Sequence, residues 1–232
     1  RLNYDYDGRF LAEVNLRYDG SSRFLGDKRW NVFPSFSLGY NVAREAFWEP
    51  FSEYVGTLKP RFSWGKLGNQ NTKEFYPFYP AQPLGLKDGK WLIAGQMPTT
   101  ATAPLMVSDL MTWEKITTTN VGIDFGAFSN RLSGSVEWFK RKTDDMVGPP
   151  EEKSPIIGID NDKLPRINNA AMTTQGWELA LNWNDRIGKV GYTIGFTLAD
   201  AKSKINKYPN ETQIIDRKNS DGVMEYVPYA GR

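Results

Sequence analysis

A chain of 232 residues without a cysteine or a histidine cannot build a disulfide framework, a thiolate or imidazole metal site, or a histidine-activated nucleophile. Its 29 Lys and Arg nearly balance 27 Asp and Glu, and a net charge of +2 argues against nucleic acid as a partner. No apolar run is long enough for a membrane helix, but a barrel strand needs only every second residue apolar over about 9–11 positions, so a bilayer stays open.

The chain opens without an initiator Met or a signal peptide, in what reads as mid-strand, and is expected to be a fragment of a longer protein. A short strand over 1–6 comes first. From 9 to 19 the even positions are Phe10, Ala12, Val14, Leu16 and Tyr18, and the odd ones include Arg9, Glu13, Asn15, Arg17 and Asp19. Strand side chains alternate faces, so this segment has one greasy and one wet face. From 30 to 42, Trp30, Val32, Pro34, Phe36, Leu38, Tyr40 and Val42 alternate with Asn31, Phe33, Ser35, Ser37, Gly39 and Asn41. The same rhythm returns over 55–66, 115–126, 131–143, 175–184 and 189–199, giving eight strand candidates.

Short connections at Tyr6–Gly8, Gly126–Asn130 and Asn184–Lys189 alternate with long ones at Gly20–Arg29, Leu67–Glu114, Asp144–Thr174 and from Asp200 onward. The Ala43–Tyr54 link is intermediate, with room for a short helix. A three-residue Tyr6-Asp7-Gly8 loop would pair Asp5 with Arg9 on the wet face and place Gly8 in a left-handed conformation. Pro34 and Pro60 fall inside strands, and because proline cannot donate to a ladder a bulge or local widening is expected at each. Lys140 sits on the apolar beat near a strand end, where it can snorkel.

Strands of this length, aromatic near their ends and joined by alternating short and long links, are the pattern of a transmembrane antiparallel up-and-down β-barrel of the bacterial outer membrane. Phe10 to Tyr18 spans ~26 Å along a strand, or ~20 Å along the membrane normal after a tilt of roughly 40°. Tyr18, Trp30, Trp64 and Trp138 would form part of an outer aromatic belt, and Phe10 and Tyr40 part of an inner one. Short turns belong to the periplasmic side and long loops to the outside.

Several segments together resemble the SusC/RagA family of TonB-dependent outer-membrane transporters, across about 9–204. They are Arg17-Tyr18-Asp19-Gly20-Ser21-Ser22-Arg23-Phe24, the run from Arg29-Trp30 to Gly39-Tyr40, and the run from Leu58-Lys59 to Asn69-Gln70. The stretch from Trp113-Glu114 through Asn120–Asp124 to Asn130-Arg131-Leu132 follows, then Arg141–Met146 and Gly176-Trp177-Glu178-Leu179. Asn31, Thr174-Gln175 and Pro60 depart from the family pattern at strands or strand ends. The resemblance implies a barrel of about 22 strands with a plugged lumen, of which residues 1–232 would be a partial barrel domain from the C-terminal half. The plug domain and TonB box would lie upstream. It further implies import of oligosaccharides or peptides with a SusD-like surface lipoprotein as lid, TonB acting through the missing N-terminal part, and outer-membrane lipid as surroundings.

The loop after Leu67 carries Phe75-Tyr76-Pro77-Phe78-Tyr79-Pro80 and Trp91, and aromatic rings stack on sugars or peptides. Tyr76, Phe78, Tyr79 and Trp91 are therefore the candidate ligand or lid contacts, the alternative being that these rings pack the loop on itself. Glu13, Arg17, Arg61 and Glu137 are candidate lumen-facing residues, in contact with water, plug or cargo, and Arg17 and Asp19 could also pair with each other. No catalytic residue, cofactor or metal site is expected. Asp144-Asp145 and Glu151-Glu152 lack the arrangement of a glycosidase pair, Asp216–Glu225 fails the spacing of a calcium loop, and the sequon Asn210-Glu211-Thr212 reads as chance. Two other readings remain: a soluble carbohydrate-binding β-sandwich, whose apolar face would be a buried core, and a complete small outer-membrane barrel with a structural role.

Overall fold

The structure is a computed structural model that describes residues 1–72, 75–82, 84–85, 91–101, 106–150 and 164–209. Its strands are β1 (Leu2–Tyr6), β2 (Phe10–Gly20), β3 (Trp30–Tyr40), β4 (Val55–Asn69), β5 (Leu84–Gly85), β6 (Thr100–Ala101), β7 (Glu114–Ala127), β8 (Leu132–Gly148), β9 (Ile167–Ile187) and β10 (Val190–Lys207). Eight of them form one antiparallel meander in the order β1-β2-β3-β4-β7-β8-β9-β10, while β5 and β6 pair with each other inside a loop.

Each ladder preserves the alternation read from the sequence. Val14 stands opposite Phe36, Phe36 opposite Trp64, Phe62 opposite Val121, Val121 opposite Trp138, Trp138 opposite Trp177, and Leu179 opposite Leu198. One continuous apolar face results. It is not buried: Val14 is 53% exposed, Leu38 51% and Ile194 62%. The polar residues between them are often better covered, with Glu13, Ser35, Ser37 and Ser63 half-buried. Water would punish this arrangement, so the exposed apolar face belongs against hydrocarbon. A sandwich would bury that face beneath a second sheet. The open order of the meander, with β1 and β10 unpaired to one another, also excludes a closed eight-stranded barrel among the described residues.

Rings cluster at the strand ends. Phe10 stacks on Tyr40 with centroids 4.7 Å apart, and Tyr18 stacks on Trp30 at 5.1 Å. Trp30 also covers Gly20, where an added Cβ would collide with the indole. Such aromatic cover over a strand glycine restores the apolar contact that the glycine lacks.

The first turn differs from the sequence reading. Asp5 pairs with Leu11 and Tyr6 with Phe10, leaving Arg9 in the turn. Asp7 and Gly8 both have positive φ (56° and 61°), and Arg9 N–H donates to Tyr6 O at 2.9 Å. That Asp-Gly geometry is the type I′ pattern, whose twist matches the flanking strands. Asp5 instead caps the turn, accepting from the Gly8 N–H at 2.6 Å. The strand faces survive because the pairing shifts by two residues.

The prolines cause no bulge. The β2–β3 register passes unbroken through Pro34, and the β4–β7 register through Pro60. Both prolines bound the β3–β4 ladder, which runs only from Ser35↔Gly65 to Gly39↔Arg61. Missing N–H groups end a ladder there without bending the strand. The β9–β10 hairpin extends well past its expected limits, to Ile167 and Lys207, and β8 runs on to Gly148, so the β8–β9 link begins only after Gly148. The Ala43–Tyr54 link does hold helical turns: 3₁₀ segments at Val42–Arg44 and Ala46–Phe51.

Candidate functional site

On the polar face the register brings β4, β7 and β8 residues into one row: Arg61 opposite Gly122, and Gly122 opposite Glu137. The Arg61 guanidinium lies across the β7 backbone where Gly122 has no side chain; an added Cβ would approach its carbon and Nε to 3.2 Å. This close approach is what glycine permits in a strand. Arg61 Nε donates to Asp124 Oδ1 at 3.1 Å and Nη2 to Glu137 Oε2 at 2.6 Å. All three side chains keep water contact, so each pair contributes at most about 1 kcal/mol, and its main effect is to fix orientation.

Glu13 shares with Arg61 a depression of about 530 Å³ lined also by Lys59, Ser37, Ser63 and Asn120. Glu13 is ion-paired to Arg1 at 2.7 Å, and the Asn120 side-chain oxygen is buried without a hydrogen-bond partner among the described residues. Arg17 stands apart from this group, paired with Asp19 of its own strand at 2.6 Å. Three of the four polar candidates therefore fall on one stretch of wall, two of them in direct contact.

At the long-loop end the polar face is covered by a small core that the alternation did not reveal. Phe24, Phe33, Met111 and Trp113 are buried together, with Phe24–Trp113 centroids at 5.4 Å and Phe33–Trp113 at 5.5 Å. Phe33 lies on the otherwise wet face of β3, and its ring rests over Gly68, where a Cβ would clash. An aromatic out of phase with its strand, near a glycine of the neighbouring strand, was the available signal. Lys28 donates to Asp109 O at 2.9 Å, Trp113 Nε1 to Arg29 O at 3.3 Å, and Asn168 exchanges hydrogen bonds with the Thr112 backbone at 2.9 Å in both directions. The loop between β4 and β7 is thus tied at its return end to the β2–β3 loop and to β9. At its departing end Arg23 donates to Thr72 O at 3.0 Å and lies 4.8 Å from the Phe75 ring centroid.

Beyond that anchor the rings fan outward. Tyr76, Phe78 and Tyr79 touch one another, with centroids between 4.8 and 6.2 Å, and Tyr76 and Tyr79 stay mostly exposed. Trp91 is exposed too and has no ring contact with them among the described residues. The rings pack on one another locally and still present open aromatic surface. Asp144 pairs with Lys142 at 2.9 Å and Asp145 with Lys115 at 3.0 Å, so these carboxylates are held in separate ion pairs. Glu151-Glu152, the sequon and the Asp216–Glu225 segment lie outside the described residues.

Known proteins carry the same wall. The family model described as TonB dependent receptor-like, beta-barrel, matches residues 1–228. The chain belongs to the TonB-dependent receptor β-barrel family. It is 32% identical over 182 residues to the TonB-dependent receptor SusC of Bacteroides thetaiotaomicron, covering 78% of this chain and 18% of that protein. It is 28% identical over 226 residues to the TonB-dependent receptor P39 of Formosa agariphila, covering 96% and 19%. The chain therefore spans about a fifth of the length of the curated relatives it matches. Its fold is also that of the RagAB peptide importer in the "open-open" state, with a TM-score of 0.81 and 21% identity over 99% of this chain and 23% of that one. The structure of the RagAB peptide transporter matches with a TM-score of 0.76 at 22% identity, over 94% and 23%. This TonB-dependent receptor segment resides in the bacterial outer membrane, and its relatives are named as receptors and transporters, not enzymes.

Proposed function

We propose that the protein containing this segment imports oligosaccharides or peptides across the outer membrane, driven by TonB and working with a SusD-like surface lipoprotein. Residues 1–232 would be its partial barrel domain, with plug and TonB box elsewhere in the longer chain. The observation that carries this reading is the inverted sheet, apolar and exposed on one face, polar and furnished with ion pairs on the other. In a barrel the second face lines the lumen, so Arg61, Glu137 and Glu13 border the path or the plug that fills it. The Tyr76, Phe78 and Tyr79 rings, held by the anchored base of their loop, offer stacking surfaces to a sugar or peptide or to the lipoprotein lid. Trp91 is a separate contact point on the same loop.

Growth on defined glycans and peptides tests this reading. Deleting 75–91 from the full-length protein is expected to abolish growth on one cargo class while outer-membrane levels stay normal. Unchanged uptake of every ligand would remove the loop from binding. Import that persists without the TonB machinery would overturn the transport reading itself.

A further inference from the structure

The β3–β4 connection spans residues 41–54. Among the connections at the periplasmic end it is the longest, and it folds into the two 3₁₀ segments Val42–Arg44 and Ala46–Phe51 in place of a tight turn. It is clasped from three sides. Arg44 Nη1 donates to Asp7 O at 3.2 Å, and Glu45 Oε2 lies 3.4 Å from Arg9 Nη1. Trp48 donates its Nε1–H to Val55 O at 2.9 Å, and its ring packs on Phe51 with centroids 5.5 Å apart. With Trp48 held, the rings on either side of it, Phe47 and Phe51, together with Tyr54, are left exposed at 63%, 56% and 64%.

The clasp fixes which side of the wall the connection reaches. The Arg9 guanidinium that meets Glu45 also lies over the Tyr6 ring, 5.2 Å from its centroid, and Tyr6 touches Phe10 of the inner belt. Tyr6, Phe10 and Tyr40 all stand on the lipid-facing side. From the other end, Tyr54 O accepts from the Phe128 N–H at 2.8 Å, and the Phe128 ring rests 6.3 Å from Trp183 on the lipid-facing side of β9. The connection therefore joins two stretches of the lipid-facing aromatic belt.

We propose that residues 42–54 are a membrane-interface foot, in which Phe47, Phe51 and Tyr54 seat in the headgroup–acyl boundary of the periplasmic leaflet. Exposed aromatic rings at the edge of a barrel's apolar band favour the headgroup–acyl boundary. The exposed carboxylates Glu49 and Glu53 supply the wetted side of the same segment. Lipid is the occupant because the clasp ties the segment, through Arg9 at one end and Phe128 at the other, to rings on the face that meets the bilayer. The foot would resist sliding of the barrel along the membrane normal when force is applied from the periplasm.

Depth measurement tests the proposal. Residues 1–232 hold no cysteine, so Phe47→Cys, Phe51→Cys and Glu53→Cys can each carry one environment-sensitive fluorophore in a full-length protein whose cysteines elsewhere, where present, are first replaced by serine. Reconstitution uses vesicles of phosphatidylethanolamine and phosphatidylglycerol. At positions 47 and 51 quenching by lipids spin-labelled high on the acyl chain is expected to exceed quenching by an aqueous nickel chelate several-fold, with the order reversed at 53. Equal aqueous access at all three positions would overturn the proposal. Protection from both quenchers would also overturn it, because it would mean a protein occupant. If either Phe variant fails to assemble, Ala46→Cys, a small-for-small exchange at an exposed position, reads the same depth.

Discussion

Val14→Arg against Asn15→Arg is the sharpest test of the wall's orientation. Val14 lies four residues from both Phe10 and Tyr18, so it stands ~13 Å along the strand from each belt residue. With a tilt of roughly 40° that is ~10 Å of depth, near the bilayer midplane. An arginine at such a depth on the lipid face costs about 2–4 kcal/mol, which is roughly a 30- to 700-fold loss in the folding equilibrium at 1.4 kcal/mol per tenfold. Asn15 is the next residue, on the polar face opposite Ser35, and there an arginine should change stability by no more than about 0.5 kcal/mol. The assay is equilibrium folding of the full-length protein into lipid vesicles across a denaturant series, read by tryptophan fluorescence. Equal costs at the two positions would refute the lipid-face assignment, and a larger cost at Asn15 would invert it.

Three further outcomes follow from the polar face and its loops. Phe33→Ala should empty the small core beneath the β4–β7 loop at a local cost of about 3–5 kcal/mol, seen as faster protease cleavage within 70–113 while the barrel stays resistant. Gly68→Val should do the same from the opposite side by displacing the Phe33 ring, and undisturbed cleavage in both variants would mean that the cluster does not anchor the loop. Arg61→Gln removes the cation between Asp124 and Glu137; a loss of about 1 kcal/mol is expected in urea at low salt, shrinking as salt rises. Adding Glu137→Gln to that variant should recover part of the loss, and strict additivity of the two changes would show that the pair does not interact.

The two-residue rhythm determined the eight strands, the apolar face and the aromatic pairs at its ends, because alternation is a local property of extended chain that needs no partner to be expressed. Phe10 with Tyr40 and Tyr18 with Trp30 could be placed from it, since antiparallel neighbours joined by a loop bring the matching ends of their patterns together. The ends of β9 and β10 could not be read, because Asn168–Thr174 and Asp200–Lys207 lie where the apolar beat is no longer sustained. Only the tertiary structure decided the Arg61–Glu137 contact, which depends on two registers at once and on a glycine lying between them. The same holds for the Phe24–Phe33–Trp113 core, in which the β2–β3 loop and the strand that follows it meet a loop much later in the chain. Pattern fixes which face a residue takes; register and loop return, which are cooperative properties of the whole sheet, fix what it meets there.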